Sequence, residues 1–240
     1  MNRRSRAALV ATAAAVLATA PLATAATGPQ AGAKSPSAGP GYDILFVRHA
    51  HTTYPVPEQE LSPLGIQQAT ALAASLHHAP IESVDTSMMV RSFQTGDDVA
   101  ADHDLPVRAD EAISEVAFNL ADVPPAQQLQ KVGEIMGAWL GGQERANGFG
   151  GESYDEVVAR WTPWWQGYVR EHRNDRGTGV VVAHGALLAL MLQRTCANEV
   201  APAFALQNGL ANTGMVKAHL SPAGTLTCTE WNGVALPSAS

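Results

Sequence analysis

"DILFVRHAHTT", residues 43–53, runs four consecutive apolar residues directly into an arginine and a histidine. Ile44-Leu45-Phe46-Val47 is bounded by Gly-Tyr-Asp before and Thr-Thr-Tyr-Pro after, so it reads as a short buried strand. Arg48, at the end of that strand, needs an anion, either an internal carboxylate or a ligand, because an unpaired buried charge is very costly. A second segment repeats the pattern. In "GTGVVVAHG", residues 177–185, Val180-Val181-Val182 is another buried strand and His184 stands where it ends.

Between and around these strands the periodicity alternates. "LSPLGIQQATALAASLHHA" (61–79) predicts a helix with Ser62 as N-cap and Pro63 in its first position, and Leu64, Ala69, Leu72, Ala73 and Leu76 at helical spacing. "IESVDTS" (81–87) is a strand, "MMVRSFQTGDDVAADHD" (88–104) a helix, "PVRAD" (106–110) a short strand, and "EAISEVAFNLADVPP" (111–125) a loop. Two amphipathic helices follow, over 125–142 and 152–173. Trp161, Trp164, Trp165 and Tyr168 lie on or near one face of the second and are assigned to the core. An alanine- and leucine-rich helix follows His184, and 212–220 and 224–232 look like a terminal pair of strands. Strands alternating with helices predict an α/β fold, with a mainly parallel central sheet flanked by helices on both faces. Ligands of such sheets bind outside the carboxyl ends of the strands, where His49 and His184 both fall.

The first 25 residues belong to another category. Arg3, Arg4 and Arg6 precede an apolar alanine-rich run and then Ala23-Thr24-Ala25, the layout of a secretory signal with a small-residue cleavage site. The competing reading, a membrane anchor, suffers from the shortness of the run before Pro21. Residues 26–41 are a Gly/Pro/Ser/Ala linker, and 42–235 form the folded domain. The expectation is therefore an exported protein, secreted or held in the cell envelope, without an integral span after signal removal. Without the signal's three arginines, twelve basic residues face twenty-two acidic ones, a net charge of −10. That balance disfavours nucleic acid and anionic membrane surfaces as partners. The two cysteines, Cys196 and Cys228, cannot form a CxxC metal site. In an exported chain they are either a disulfide or two buried thiols.

Arg48 and Arg91, with His49 and His184, would make a pocket for a dianion, since the planar guanidinium fork binds two phosphate oxygens at once. No Gly-rich phosphate loop, cysteine nucleophile or grouped carboxylates accompany them, so a nitrogen nucleophile without metal or cofactor is expected.

These residues carry a resemblance. "FVRHAHTT" resembles the signature of the histidine phosphatase superfamily, the phosphoglycerate mutase-like phosphatases, in the small branch without a large cap domain. "LSPLGIQQA", "SMMVRSFQT", "GESYDEVVAR" and "VVVAHG" are similar to further blocks of that family, in the same order, over residues 43 to 214. The resemblance implies a phosphoglycerate mutase-like fold and a phosphomonoesterase acting on a small phosphorylated substrate. His49 would be the nucleophile, forming a phosphohistidine. Arg48, Arg91 and His184 would complete the phosphate pocket. The family's general acid falls on Glu115, in Ile113-Ser114-Glu115, with Glu111 as the alternative. The Thr52 hydroxyl would contact phosphate or stabilise a turn. Ala50 stands where the family has Gly, and Pro55 where it often has a phosphate-binding Asn; the loop after Glu115 departs from the family's pattern. A phosphomutase of the same fold and an inactive phospho-ligand binding module are the alternative functions.

Overall fold

The computed structural model describes residues 40–53, 60–143, 145, 150–198, 200 and 202–237. The expected signal sequence, most of the expected linker, and Tyr54 and Pro55 lie outside the described residues.

The first strand, β1 (Tyr42–Arg48), is followed by α1 (Pro63–Leu76), β2 (Ile81–Ser87), α2 (Val90–Asp102) and β3 (Val107–Asp110). After a loop come α3 (Pro125–Leu140), α4 (Tyr154–His172), β4 (Thr178–Ala183), α5 (Gly185–Thr195), α6 (Pro202–Gln207), β5 (Met215–Leu220), β6 (Leu226–Trp231) and β7 (Val234–Ala235). All strands join one sheet in the order β3-β2-β4-β1-β5-β6-β7. Pairings among β3, β2, β4 and β1 are parallel, and those from β1 through β5 and β6 to β7 are antiparallel. The expected parallel sheet is therefore the half that carries the strand-end histidines. The predicted terminal strand pair extends it as an antiparallel wing.

The two faces of β1 feed two cores. Tyr42, Ile44 and Phe46 pack in a cluster with α3, α4 and α5, whereas Val47 packs with Leu72, Ala73 and Leu76 of α1 and with Val99 and Ala100 of α2. Alternation along a strand sends neighbours to opposite faces, so helices cover both sides of the sheet. In α5, residues Leu187 to Leu192 are all buried. A helix that is apolar around its whole circumference has no solvent face, and each such leucine contributes about 1.5–3 kcal/mol of burial.

The helix starts follow their local chemistry. Ser62 Oγ accepts the Gly65 N–H at 3.1 Å, with Pro63 opening α1. Ser153 and Glu156 form a reciprocal capping box at α4. Three details differ from the sequence expectation. Leu64 is half exposed, because the buried stripe of α1 runs through Gly65, Ala69, Leu72, Ala73 and Leu76. A 3-10 turn at Glu111–Ile113 interrupts the predicted loop. The short α6 and β7 carried too few residues to register as periodic segments. Trp161 is buried as expected, while Trp164 and Trp165 pack partly buried against the same core. Cys196 and Cys228 are bridged, with Cα atoms 5.6 Å apart, tying the end of α5 to β6.

Candidate active site

β1 and β4 are adjacent and parallel, with Arg48 opposite Ala183. From β1 the chain leaves through α1 toward β2; from β4 it leaves through α5 toward β5, on the other face of the sheet. A crevice opens where neighbouring strands send their connections to opposite sides. The residues that follow the paired positions are His49 and His184, whose ring centroids lie 5.2 Å apart.

Backbone bonds hold His49 on both sides. Its N–H donates to Ala183 O at 3.0 Å, and Asn212 Nδ2 donates to its carbonyl at 3.0 Å. Ala50 N–H donates to Thr95 Oγ1 at 2.9 Å, and the Ala50 methyl is buried against Leu61 and Ala69, so alanine fits where the family has glycine. His49 Nδ1 lies 2.8 Å from Ala50 O. A carbonyl can only accept, so Nδ1 carries the hydrogen and the neutral ring presents its lone pair at Nε2. Arg91 Nε donates to that Nε2 at 3.2 Å. Burial, and then the Arg91 and Arg48 charges, push the His49 pKa down to about 3. The imidazole is therefore neutral across the physiological pH range, and a neutral imidazole with its lone pair at Nε2 is chemically able to attack an electrophile.

Arg48 continues the Phe46 face of β1. Its Nη1 donates to Leu210 O at 2.7 Å, and its Nε is buried without a hydrogen-bond partner among the described residues. Burial holds both Arg48 and Arg91 below the usual guanidinium range, yet guanidinium groups stay charged in proteins. Two desolvated cations beside an imidazole lone pair are an arrangement that can hold an anion against a nitrogen able to attack it.

His184 is fully buried, and its Nε2 lies 2.7 Å from Ser87 Oγ and 3.2 Å from Ser92 Oγ. Its Nδ1 is buried without a partner among the described residues. Burial foremost, with Arg91 next, lowers its pKa. Ser87 ends β2 and Ser92 sits in the first turn of α2, so these two hydroxyls fix the ring from behind. Reading the sequence for charged groups missed both serines and Asn212. The serines lie inside the quoted "SMMVRSFQT" block, and no periodicity or charge marks Asn212.

Glu115 joins the same place from the loop after β3. Its Oε1 accepts the N–H groups of Leu187 at 2.9 Å and Val116 at 3.0 Å, and its Oε2 accepts that of Ala186 at 3.3 Å. No side chain of its own caps α5; the Glu115 carboxylate does so across the fold. Its charge is felt by both Arg48 and Arg91. Glu111 lies exposed in the 3-10 turn and forms no side-chain hydrogen bond to the histidines or arginines of the site among the described residues. Thr52 forms a backbone bridge with Leu61, and no hydrogen bond joins its hydroxyl to the other site residues among those described. His51 Nδ1 is 2.7 Å from Ser62 Oγ, which ties this histidine to the α1 cap. The structure thus brings Arg48, His49, Arg91, Glu115 and His184 together, and leaves Glu111 outside. No group of three or more His, Cys, Asp or Glu side chains able to hold a metal ion occurs among the described residues.

The same architecture occurs in known phosphatases. The chain is 26% identical to a mycobacterial glucosyl-3-phosphoglycerate phosphatase solved with inorganic phosphate, over 82% of this chain and 99% of that one, with a TM-score of 0.62. It shares its fold with the α-ribazole phosphatase of Shigella flexneri, at 17% identity and a TM-score of 0.61, covering 82% of this chain and 100% of that one. It shares it also with a phosphoserine phosphatase of Entamoeba histolytica, at 20% identity and a TM-score of 0.59, covering 80% and 96%. No curated protein matches the chain. The family described as "Histidine phosphatase superfamily (branch 1)" matches residues 44–233, a span that includes both strand-end histidines, both arginines and Glu115. With the fold, the paired histidines and that match in agreement, the chain belongs to branch 1 of the histidine phosphatase superfamily.

Proposed function

We propose that this phosphatase is an exported phosphomonoesterase that works through a phosphohistidine on His49, without metal. The observation that carries the reading is the His49 ring. Its Nδ1 hydrogen is committed to the Ala50 carbonyl, and its Nε2 lone pair faces Arg91. The phosphoryl group of the ester sits against Arg48, Arg91 and His184. Nε2 attacks phosphorus, the P–O bond to the alcohol breaks, and Glu115 gives a proton to the departing oxygen. Water then attacks phosphorus, returns a proton to the Glu115 carboxylate and breaks the N–P bond, releasing inorganic phosphate. Two arginines already supply the positive charge that a metal would bring.

Export is supported by the basic, apolar and small-residue succession of residues 1–25 and by the engagement of both cysteines in a bridge. No helix among the described residues is long and apolar enough to cross a membrane.

The test is a burst experiment on nitrophenyl phosphate, quenched in alkali because phosphohistidine is acid-labile. A phosphoryl group recovered on the peptide that contains His49 is the expected result. Turnover without any phosphoenzyme, or a phosphoryl group on another residue, would remove the reading. N-terminal sequencing of protein from the medium should begin near Ala26; full-length chain confined to the cytosol would remove export.

A further inference from the structure

Resting on the assignment of Glu115 as general acid, we propose that Arg160 and Glu152 form a clamp that sets the position of Glu115 from behind, making both positioning residues of this enzyme. The sequence block "GESYDEVVAR" contains both residues; the Arg160 charge reaches buried His184, and neither residue takes part in the proposed phosphoryl transfer itself.

Arg160 lies in α4, anchored by the capping box and by buried Val157 and Trp161. From that rigid base its Nη1 donates to Ala112 O at 2.7 Å and its Nη2 to Glu115 O at 3.5 Å. The other edge of the guanidinium meets Glu152, with Nε to Oε1 at 2.6 Å and Nη2 to Oε2 at 3.0 Å. Glu152 passes the restraint on. Its Oε2 accepts the Ala117 N–H at 3.2 Å, while its own N–H donates to Ala117 O at 2.7 Å. Three backbone groups between residues 112 and 117 are thus fixed around the Glu115 side chain by one ion pair, and a fourth, the Ala117 carbonyl, by the Glu152 backbone. The pair is mostly out of water, with side chains 21% and 16% exposed, and its two-pronged geometry is the kind that holds direction as well as distance.

The approach of the two strands of chain demands Gly151. A Cβ there would collide with the Ala117 carbonyl oxygen and the Asn119 nitrogen. Gly151, Glu152 and Ser153 therefore have three separate duties: close approach, the ion pair and the α4 cap. On the far side of the loop, the Glu115 carboxylate reaches the first N–H groups of α5. The general acid is consequently suspended between two helices, with α4 holding its backbone and α5 its carboxylate. A displacement of about 1 Å at a catalytic group can cost on the order of a hundredfold in rate, so losing either anchor is a kinetic event.

Arg160→Ala and Glu152→Gln test the clamp in the full folded chain. In Arg160→Ala, rates on alkyl phosphates should fall about tenfold to a hundredfold. Rates on nitrophenyl phosphate and inhibition by inorganic phosphate should change little. Methylguanidinium in solution should restore part of the loss. In a Glu115→Gln background the second substitution should cost nothing further, since both act on one proton transfer. Glu152→Gln, which keeps an acceptor for Ala117, should show the same pattern more weakly. An equal loss on both ester classes, or additive losses in the double variant, would overturn the proposal. Amide exchange gives a readout independent of activity: Ala186 and Leu187 should lose protection in Arg160→Ala while the rest of α5 keeps it. Unchanged protection at those two amides would overturn the clamp even if the chain hydrolysed no ester, so its failure and that of the activity are separable.

Discussion

Glu115 Oε1 accepts the backbone N–H of Leu187 at 2.9 Å, although 72 residues separate the two in the chain. Through that bond the proposed acid doubles as the cap of the helix that begins beside His184. A residue with two duties should show two kinds of loss. Glu115→Gln keeps an acceptor for the α5 amides and should leave stability nearly unchanged. It should slow esters of poorly leaving alcohols by roughly a hundredfold or more, and nitrophenyl phosphate far less, since its leaving group hardly needs a proton. Glu115→Ala should in addition lower the unfolding midpoint, with a cap loss of about 1 kcal/mol. Rates on a series of esters of graded leaving ability, with thermal unfolding alongside, check both.

His49 is the residue with no substitute. His49→Ala should abolish turnover, because Nε2 of the other imidazole in the pocket, His184, is turned to the Ser87 and Ser92 hydroxyls rather than to phosphorus. Binding of inorganic phosphate should survive, since Arg48 and Arg91 remain. Calorimetry with phosphate and a single-turnover assay separate the two effects.

The low pKa of His49 has two consequences for pH. Burial keeps the ring neutral down to about 3, so the acid limb of kcat/KM in the free enzyme should not lie near 6.5, where an ordinary histidine titrates. For stability, the unfolded chain binds a proton at about 6.5 that the folded site refuses. Stability is therefore complete above that pH and falls on acidification from about 6.5 toward 3, by up to about 1.4 kcal/mol per pH unit from this group. His184, lowered in the same direction, steepens the fall. Urea titrations between pH 7 and 4, compared with His49→Gln, read the difference; a parent chain as stable at pH 4.5 as at 7 would contradict it.

The parts of the site that were legible in the sequence are those written by burial and charge. Val47 and Val180–Val182 announce buried strands because a parallel strand covered on both faces has no reason to alternate. Arg48, His49, His184 and Arg91 stood out against that background. The family resemblance then chose Glu115 over Glu111, a choice that periodicity could not make: both lie in irregular chain, and only tertiary contact with α5 separates them. Ser87, Ser92 and Asn212 are small polar residues whose roles come wholly from what the fold puts opposite them. The bridge between Cys196 and Cys228 was open for the same reason, since separation in space is not written in sequence spacing.

Ser87 and Ser92 give a prediction that charge reasoning alone would not. Both hydroxyls meet His184 Nε2, and each can turn its hydrogen toward that nitrogen, leaving the ring's own hydrogen on Nδ1. Ser87→Ala, removing the shorter contact, should reduce kcat about tenfold through a loosened His184, with KM for nitrophenyl phosphate little changed. Ser92→Ala should have a smaller effect. The double substitution should exceed the larger single loss and release the ring; a kcat as high as that of the parent chain would show that the serines do not orient it.

The Cys196–Cys228 bridge closes a loop of 32 residues. If it acts by restricting the unfolded chain, it contributes about 3 to 4 kcal/mol. It joins the end of α5 to β6, and Asn198, buried beside it, accepts the Cys228 N–H and donates to the Cys228 carbonyl. That polar link uses only the Cys228 backbone and needs no sulfur–sulfur bond, so the native arrangement of the α5 end should persist in the thiol form even as the unfolded chain is released. Reduction should therefore lower the unfolding midpoint without lowering kcat at temperatures where the chain stays folded, because His184 and Glu115 lie at the opposite end of α5. Asn198→Ala should sharpen the contrast, making the reduced protein lose far more stability than the oxidised one. Unfolding curves of both proteins with and without reductant, together with the assay, decide this. A fall in kcat on reduction, in protein that is still folded, would mean instead that the bridge reaches the active site through the length of the helix.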